Sequence, residues 1–290
     1  MTRAHSEHDS HHRPTGSLRL MIVGAHPDDP DYHAGGLASL YSQAGHKVFM
    51  VSVTNGASGH HKLRGLVLVE RRREEAGKAG AVIGAEYRVL EHPDGELEPT
   101  LEIRRELIGL IRGFQPDLLL THRPIDYHPD HRYTSQLVQD AAYMVTVPAV
   151  VPGVPHLPRD PVIAYMPDPF KKPYPFEPDV AIDVEPVLDR IVDMLDRHES
   201  QFYEWLPYNR GCLQEVPKDH AARRGWLAEK VKCRLHDQAE RFRKALVATY
   251  GDKRGNKVEY AEGFELCEYG APLDDAARER LFGFIVSRSS

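Results

Sequence analysis

Cysteine is scarce in this chain. Only Cys212, Cys233 and Cys267 occur among 290 residues, far apart and with no Cys-x-x-Cys pair. An odd, sparse count argues against a disulfide scaffold and fits a reducing compartment, with the cytoplasm as the default. Positive charge is not in excess either. The formal charge is −6, with both signs interspersed, which leaves no basic footprint for nucleic acid and no means of holding a polyanion by charge alone. No apolar run is long enough to span a membrane, because the best candidate, Leu137 to Leu157, is broken by Asp140, Pro148, Pro152 and Pro155. There is no internal repeat and no shift in composition that would mark a boundary. The chain therefore reads as a disordered tail over 1–17 and a single domain over 18–290 with a helical C-terminal extension. The tail is polar, lacks an apolar core, and carries His5, His8, His11 and His12, which would collect metal only weakly.

What the chain does have is an ordinary globular composition, 41% apolar and 28% charged, and alternating strand and helix patterns. Leu18 to Ala25 is apolar at nearly every position, as in a strand covered on both faces. A short helix over Ala34 to Ala44, a strand over Lys47 to Thr54, and a helix over Leu66 to Ile83 closed by Gly84 come next. Tyr87 to Glu91 reads as a strand, Thr100 to Phe114 as a helix capped by Thr100, Asp117 to His122 as a strand and His131 to Val145 as a helix. Such repetition implies a parallel sheet. Prolines crowd Pro148 to Pro178, which reads as a pocket rim holding one strand, Val162 to Met166. A strand over Asp179 to Val184, a helix over Pro186 to Phe202, helical sequence over Lys218 to Tyr250 and a possible strand over Gly263 to Glu268 complete the pattern.

Two apolar strands empty into ligand-type residues. The first ends in Ala25-His-Pro-Asp-Asp29, and Asp117 to His122 leads to Tyr127-His-Pro-Asp-His131. In α/β sheets sites lie at the carboxyl ends of strands. His26 and Asp29 are three apart across a turn stiffened by Pro27, so both can point at one ion while Asp28 faces another side of it. His128 and His131 share one face of a helix N-terminus, where one imidazole can bind metal while the other stays free. Two nitrogens and a carboxylate suit zinc, and three protein ligands leave the open position of a catalytic site. A lone His-Pro-Asp is common turn chemistry, as His92-Pro-Asp94 illustrates; two instances at strand ends are a stronger signal.

These residues resemble the PIG-L/LmbE family of zinc-dependent N-acetylglucosamine deacetylases. The resemblance rests on Ala25-His-Pro-Asp-Asp29 with Gly35-Gly36, and on Tyr127-His-Pro-Asp-His-Arg132 about a hundred residues on. Thr54-Asn-Gly56, Arg72 with Glu75, Pro93-Asp-Gly95 and His198-Glu-Ser-Gln201 support it, so that it spans Leu18 to roughly Leu246. It implies a Rossmann-like three-layer α/β/α sandwich with a mostly parallel sheet. It further implies Zn²⁺ held by His26, Asp29 and His131, hydrolysis of an N-acetyl group from an amino-sugar compound, and, together with the apolar, proline-rich Val145 to Pro161, a homo-oligomer. Pro30, Asp31 and Ala57 depart from the family pattern at positions bearing on substrate. No Gly-x-Gly-x-x-Gly follows the first strand, which argues against dinucleotide binding.

Amide hydrolysis assigns roles to the remaining residues. Asp28 is the general base and later the acid to the amine. His128, if Asp130 or another carboxylate holds it protonated, donates to the oxyanion. Arg72 is either a substrate ligand or part of a solvated Arg71-Arg72-Arg73 face; Asp94 is either a ligand for sugar hydroxyls or a turn former. The competing functions are a zinc amidase for a non-sugar or thiol-conjugate amide and a non-catalytic metal- or sugar-binding protein. A two-metal phosphatase is disfavoured by the few further acids near the strand ends.

Overall fold

A computed structural model describes residues 16–288. His5, His8, His11, His12 and nearly all of the expected tail lie outside them. The strands are β1 (Arg19–Gly24), β2 (Lys47–Thr54), β3 (Glu86–His92), β4 (Leu118–Thr121), β5 (Val162–Tyr165), β6 (Val180–Asp183) and β7 (Ala261–Leu266). They form one sheet in the order β3-β2-β1-β4-β5-β7-β6. The first five are mutually parallel, and β7 runs antiparallel to both of its neighbours. The sheet is thus mostly parallel, with one reversed strand supplied by the end of the chain.

The apolar run of β1 is explained by cover on both faces. Leu20 and Ile22 belong to one core and Met21 and Val23 to the other, as the two-residue period of a strand requires. The first core is closed by helices α1 (Asp29–Gln43), α2 (Leu66–Ile83), α5 (Leu188–Arg197), α7 (His220–Arg241) and α10 (Asp275–Arg288). Helices α3 (Leu101–Phe114), α4 (Pro129–Ala142) and α8 (Arg243–Tyr250) close the second, and short α6 (Leu206–Asn209) and α9 (Asp252–Gly255) complete the set. β1 pairs with β2 on one side and β4 on the other, so their following loops diverge and leave a crevice at the carboxyl ends.

Several boundaries differ from the sequence reading for identifiable reasons. α1 begins at Asp29 rather than Ala34, because Pro30 falls in its first turn, where a fixed φ is compatible with a helix. Its backbone breaks at Ala34 (φ −142°), which makes Gly36 and Leu37 the start of a second helical stretch with free amides. Buried Glu262 of β7 accepts both, at 2.7 and 2.9 Å. The helix expected over Pro186 to Phe202 is interrupted at His198, whose ring is buried against Asp31 (2.9 Å), and a π-helical turn over Ser200–Trp205 follows. α4 starts at Pro129, two residues early. The proline-rich segment is pinned to the body by buried Arg112, which donates to the carbonyls of Val145 (2.9 Å), Val147 (2.7 Å), Val151 (3.0 Å) and Val154 (3.2 Å).

Candidate metal centre

At the crevice, the loop after β1 carries His26 and Asp28 and leads into Asp29 at the start of α1, while the loop after β4 carries Asp126 and leads to His128 and His131 at the start of α4. The arms converge. His26 Nδ1 lies 3.2 Å from Asp29 Oδ2 and 3.2 Å from His131 Nε2, and His131 Nε2 lies 3.4 Å from Asp29 Oδ2. Bonds of about 2.0–2.1 Å to a tetrahedral ion would put its ligand atoms about 3.3 Å apart, so this triangle has the dimensions of one face of such a site. The donor set fits the ion that the sequence implied.

The far nitrogens of both imidazoles meet carboxylates. His26 Nε2 is 3.3 Å from Asp94 Oδ1 and 3.4 Å from Asp130 Oδ2, and His131 Nδ1 is 3.2 Å from Asp126 Oδ1. Such outer carboxylates orient metal-binding imidazoles and raise their basicity. Each is itself fixed by backbone. Asp94 accepts from the Ser58 N–H (3.0 Å), Asp130 from Gly95 (2.7 Å) and Asp126 from His128 (2.9 Å). Burial works against charge on His26, yet Asp29, Asp130 and Asp94 outweigh it and hold its pKa well above the ordinary imidazole value. Asp94 is buried too, but its hydrogen bond to His26 and the Arg72 charge bring it down to about 2. Asp28, Asp29, Asp94, Asp126 and Asp130 thus cluster about the two imidazoles with Arg72 beside them, an arrangement that favours a cation.

His122 and Asp126 were not among the sequence-derived site residues. His122 stacks on His131 with ring centroids 3.9 Å apart, and its Nε2 is 3.2 Å from Asp29 Oδ2. The same Nε2 accepts the Ala25 N–H at 3.1 Å, so its lone pair is committed, and burial lowers its pKa to about 4. It is a neutral buttress for His131. Asp126 stands two residues before His128, a carboxylate beside a histidine pair, and that adjacency was the available signal.

Asp28, Arg72, Asp94 and His128 line the same cleft of about 600 Å³, with Asp130 buried behind His26. Arg72 is not on a solvated face: it is 2% exposed and its Nη2 donates to Asp28 Oδ1 at 2.6 Å. Gly56 makes room for it, since a Cβ there would lie 2.7 Å from the guanidinium, and its φ of +71° also suits glycine. Asp130 faces His26 and Gly95 rather than holding His128 protonated. His128 Nδ1 instead accepts the Asp130 N–H (3.2 Å), and burial together with His26 and His131 lowers the His128 pKa. A neutral ring with Nδ1 so occupied carries its proton on Nε2. Pro169 and Phe170 line the cleft, so the proline-rich segment does form part of the rim. Asp31, one of the departures from the family pattern, is consumed in the buried pair with His198.

Residues 21–142 match the family model described as PIG-L, GlcNAc-PI de-N-acetylase. The chain carries a PIG-L family domain. Diacetylchitobiose deacetylase of Thermococcus kodakarensis is 28% identical over 208 residues, 66% of this chain and 75% of that protein. The 4-oxalmesaconate hydratase of Pseudomonas putida is 25% identical over 208 residues, 69% of this chain and 80% of that one. The solved structure of N,N'-diacetylchitobiose deacetylase from Pyrococcus horikoshii superposes with a TM-score of 0.67 at 23% identity, covering 87% of this chain and 85% of that one. The fold of that structure thus extends over most of the chain.

Proposed function

We propose that this protein is a zinc-dependent deacetylase that hydrolyses the N-acetyl amide of an amino-sugar compound, releasing acetate and a free amine. The observation that carries this reading is the His26–Asp29–His131 triangle with the Asp28 carboxylate in the same cleft. A zinc ion on that triangle would lower the pKa of water and polarise the amide carbonyl. Asp28, oriented through Oδ1 by Arg72, takes a proton from the attacking water and delivers it to the departing nitrogen. His128 donates from Nε2 to the oxyanion as a neutral imidazole, a role that needs no carboxylate to keep it charged. Asp94 and Asp130 hold His26, and Asp126 holds His131. Arg72 is a positioning residue for Asp28, with Asp94 close enough (3.8 Å) to share its charge.

Acetate and amine released one for one from N-acetylglucosamine, its oligomers or its inositol glycosides would support this reading. The named activity of the Pseudomonas putida relative motivates a second reading, hydration, which would yield neither product. Cleavage of a thiol-conjugate amide, as the name of the Streptomyces coelicolor relative mycothiol S-conjugate amidase suggests, would release an amine and the conjugate's carboxylic acid, with no acetate. The sparse cysteines favour the cytoplasm, and a symmetric homo-oligomer is the proposed state; a monomer by light scattering at micromolar concentration would refute the latter.

A further inference from the structure

A second cavity of about 470 Å³ adjoins the metal cleft, and the two share a wall that includes Tyr32, His33 and Leu206. Away from that wall it is largely apolar, formed by Phe202, Pro207, Trp226, Leu227 and Val231. α7 presents Trp226, Lys230, Arg234 and Gln238 to it, spaced four apart and hence on one helical face.

Arg234 stands out at the junction. Its guanidinium carbon lies 4.2 Å from the Tyr32 ring centroid, and Tyr32 lines both cavities. All three guanidinium nitrogens are buried and none has a hydrogen-bond partner among the described residues. Leaving a buried guanidinium without an acceptor is expensive, and stacking on an aromatic ring offsets only part of that. Two acids also line this cavity, Asp168, which faces Arg123 at 3.2 Å, and exposed Asp237, three residues along the helix from Arg234; behind it, Glu262 accepts from the Gly36 and Leu37 amides. Lys230, Arg210 and Arg241 add positive charge to the same walls.

We propose that this cavity is a subsite for an anionic group borne on an apolar aglycone, with Arg234 as the anion's partner. The substrate class is then an N-acetylated amino-sugar glycoside whose aryl or alkyl aglycone carries a carboxylate or phosphate; that it is cleaved at the acetamide rests on the deacetylase reading.

The test uses the full-length, zinc-loaded protein and aryl β-glycosides of N-acetylglucosamine bearing para carboxylate, phosphate or carboxamide, with the methyl glycoside as the short reference. Binding of the corresponding glucosaminides, which have no amide left to cleave, is read by isothermal titration calorimetry. The anionic aryl ligands should bind about tenfold or more tightly than the carboxamide, the usual worth of a charge-assisted hydrogen bond, and kcat/KM for acetate release should follow. Arg234→Met should bring that ratio to within about threefold of unity and Arg234→Lys should retain part of it. Whichever anion shows the larger ratio identifies the natural group. Equal binding of carboxylate and carboxamide ligands to the unmodified protein, a comparison that needs no variant to fold, would overturn the proposal, as would discrimination that survives Arg234→Met. Arg234-dependent binding without acetate release would remove the deacetylase reading and leave the subsite. Acetate release without discrimination would do the reverse.

Discussion

Asp28 and Asp29 are adjacent in sequence, yet their surroundings differ enough for substitution to separate them. Asp29 Oδ2 is the atom within 3.4 Å of both ligand nitrogens, and it also accepts the His26 N–H at 2.7 Å. Asp28 has Oδ1 held by Arg72 at 2.6 Å. In Asp28→Asn the amide oxygen can keep the Arg72 hydrogen bond, so Arg72 and the loop stay in place, and only the capacity to accept a proton from water is lost. Zinc should therefore remain stoichiometric while kcat falls by about 10²–10⁴-fold, the range that general base catalysis supplies. In Asp29→Asn the atom facing two imidazole nitrogens loses its charge, and zinc should be lost along with activity. Zinc titration beside steady-state acetate release on the two variants separates the cases. If Asp28→Asn sheds zinc as readily as Asp29→Asn, the carboxylates share the ion; if it keeps full rate, the base lies elsewhere.

His131→Ala should strip zinc and activity together, and stoichiometric zinc retained by that variant would remove His131 from the ligand set. His128→Ala should keep its zinc and lose about 10²–10³-fold in kcat through the missing oxyanion donor; an unchanged rate would rule that role out. Asp126→Ala, which touches no ligand atom of the triangle, should weaken zinc binding by about 10–100-fold in a competition titration, and an unaltered affinity would show that the His131 Nδ1 contact is idle. Glu262 predicts a pH dependence of stability. Burial raises its pKa from 4.5 to about 7, against the pull of the Gly36 and Leu37 amides. The folded state then holds a proton that the unfolded state has given up, so this group's contribution to stability is lost as pH rises from about 4.5 toward 7. Thermal melts should show Glu262→Gln with a shallower decline than the unmodified protein over that interval, and parallel curves would contradict the assignment.

Where local physics decides, the sequence was legible. β2 and α2 have the bounds that periodicity and Gly84 indicated, and Thr100 caps α3 through the Ile103 N–H. The metal triangle was foreseeable because each arm pairs its ligand types within three residues at a strand end, and the family resemblance chose between His128 and His131. What was not legible depends on distant partners. The break at Ala34 is satisfied by Glu262, more than two hundred residues away, and nothing near Gly36 announces it. β7 read as a marginal strand because its cover comes from α7 and from α1, which lies more than two hundred residues away in sequence. Arg72 lies within a run of three arginines that reads as a solvated face, and the partners that turn it inward, Asp28 and the space left by Gly56, are distant in sequence.

The capping of α1 by Glu262 bears on how the chain acquires its site during synthesis. Asp29 opens the helix whose second stretch starts at Gly36, and the acceptor for those amides is on β7, more than two hundred residues later. A ribosome therefore exposes His26, Asp29 and His131 long before it releases the residue that completes their supporting helix. β7 also separates β5 from β6 in the sheet, so β6 cannot take its final place until β7 has emerged. The three side chains of the triangle are thus translated while their scaffold is incomplete, and the triangle reaches its final geometry only once β7 is in place.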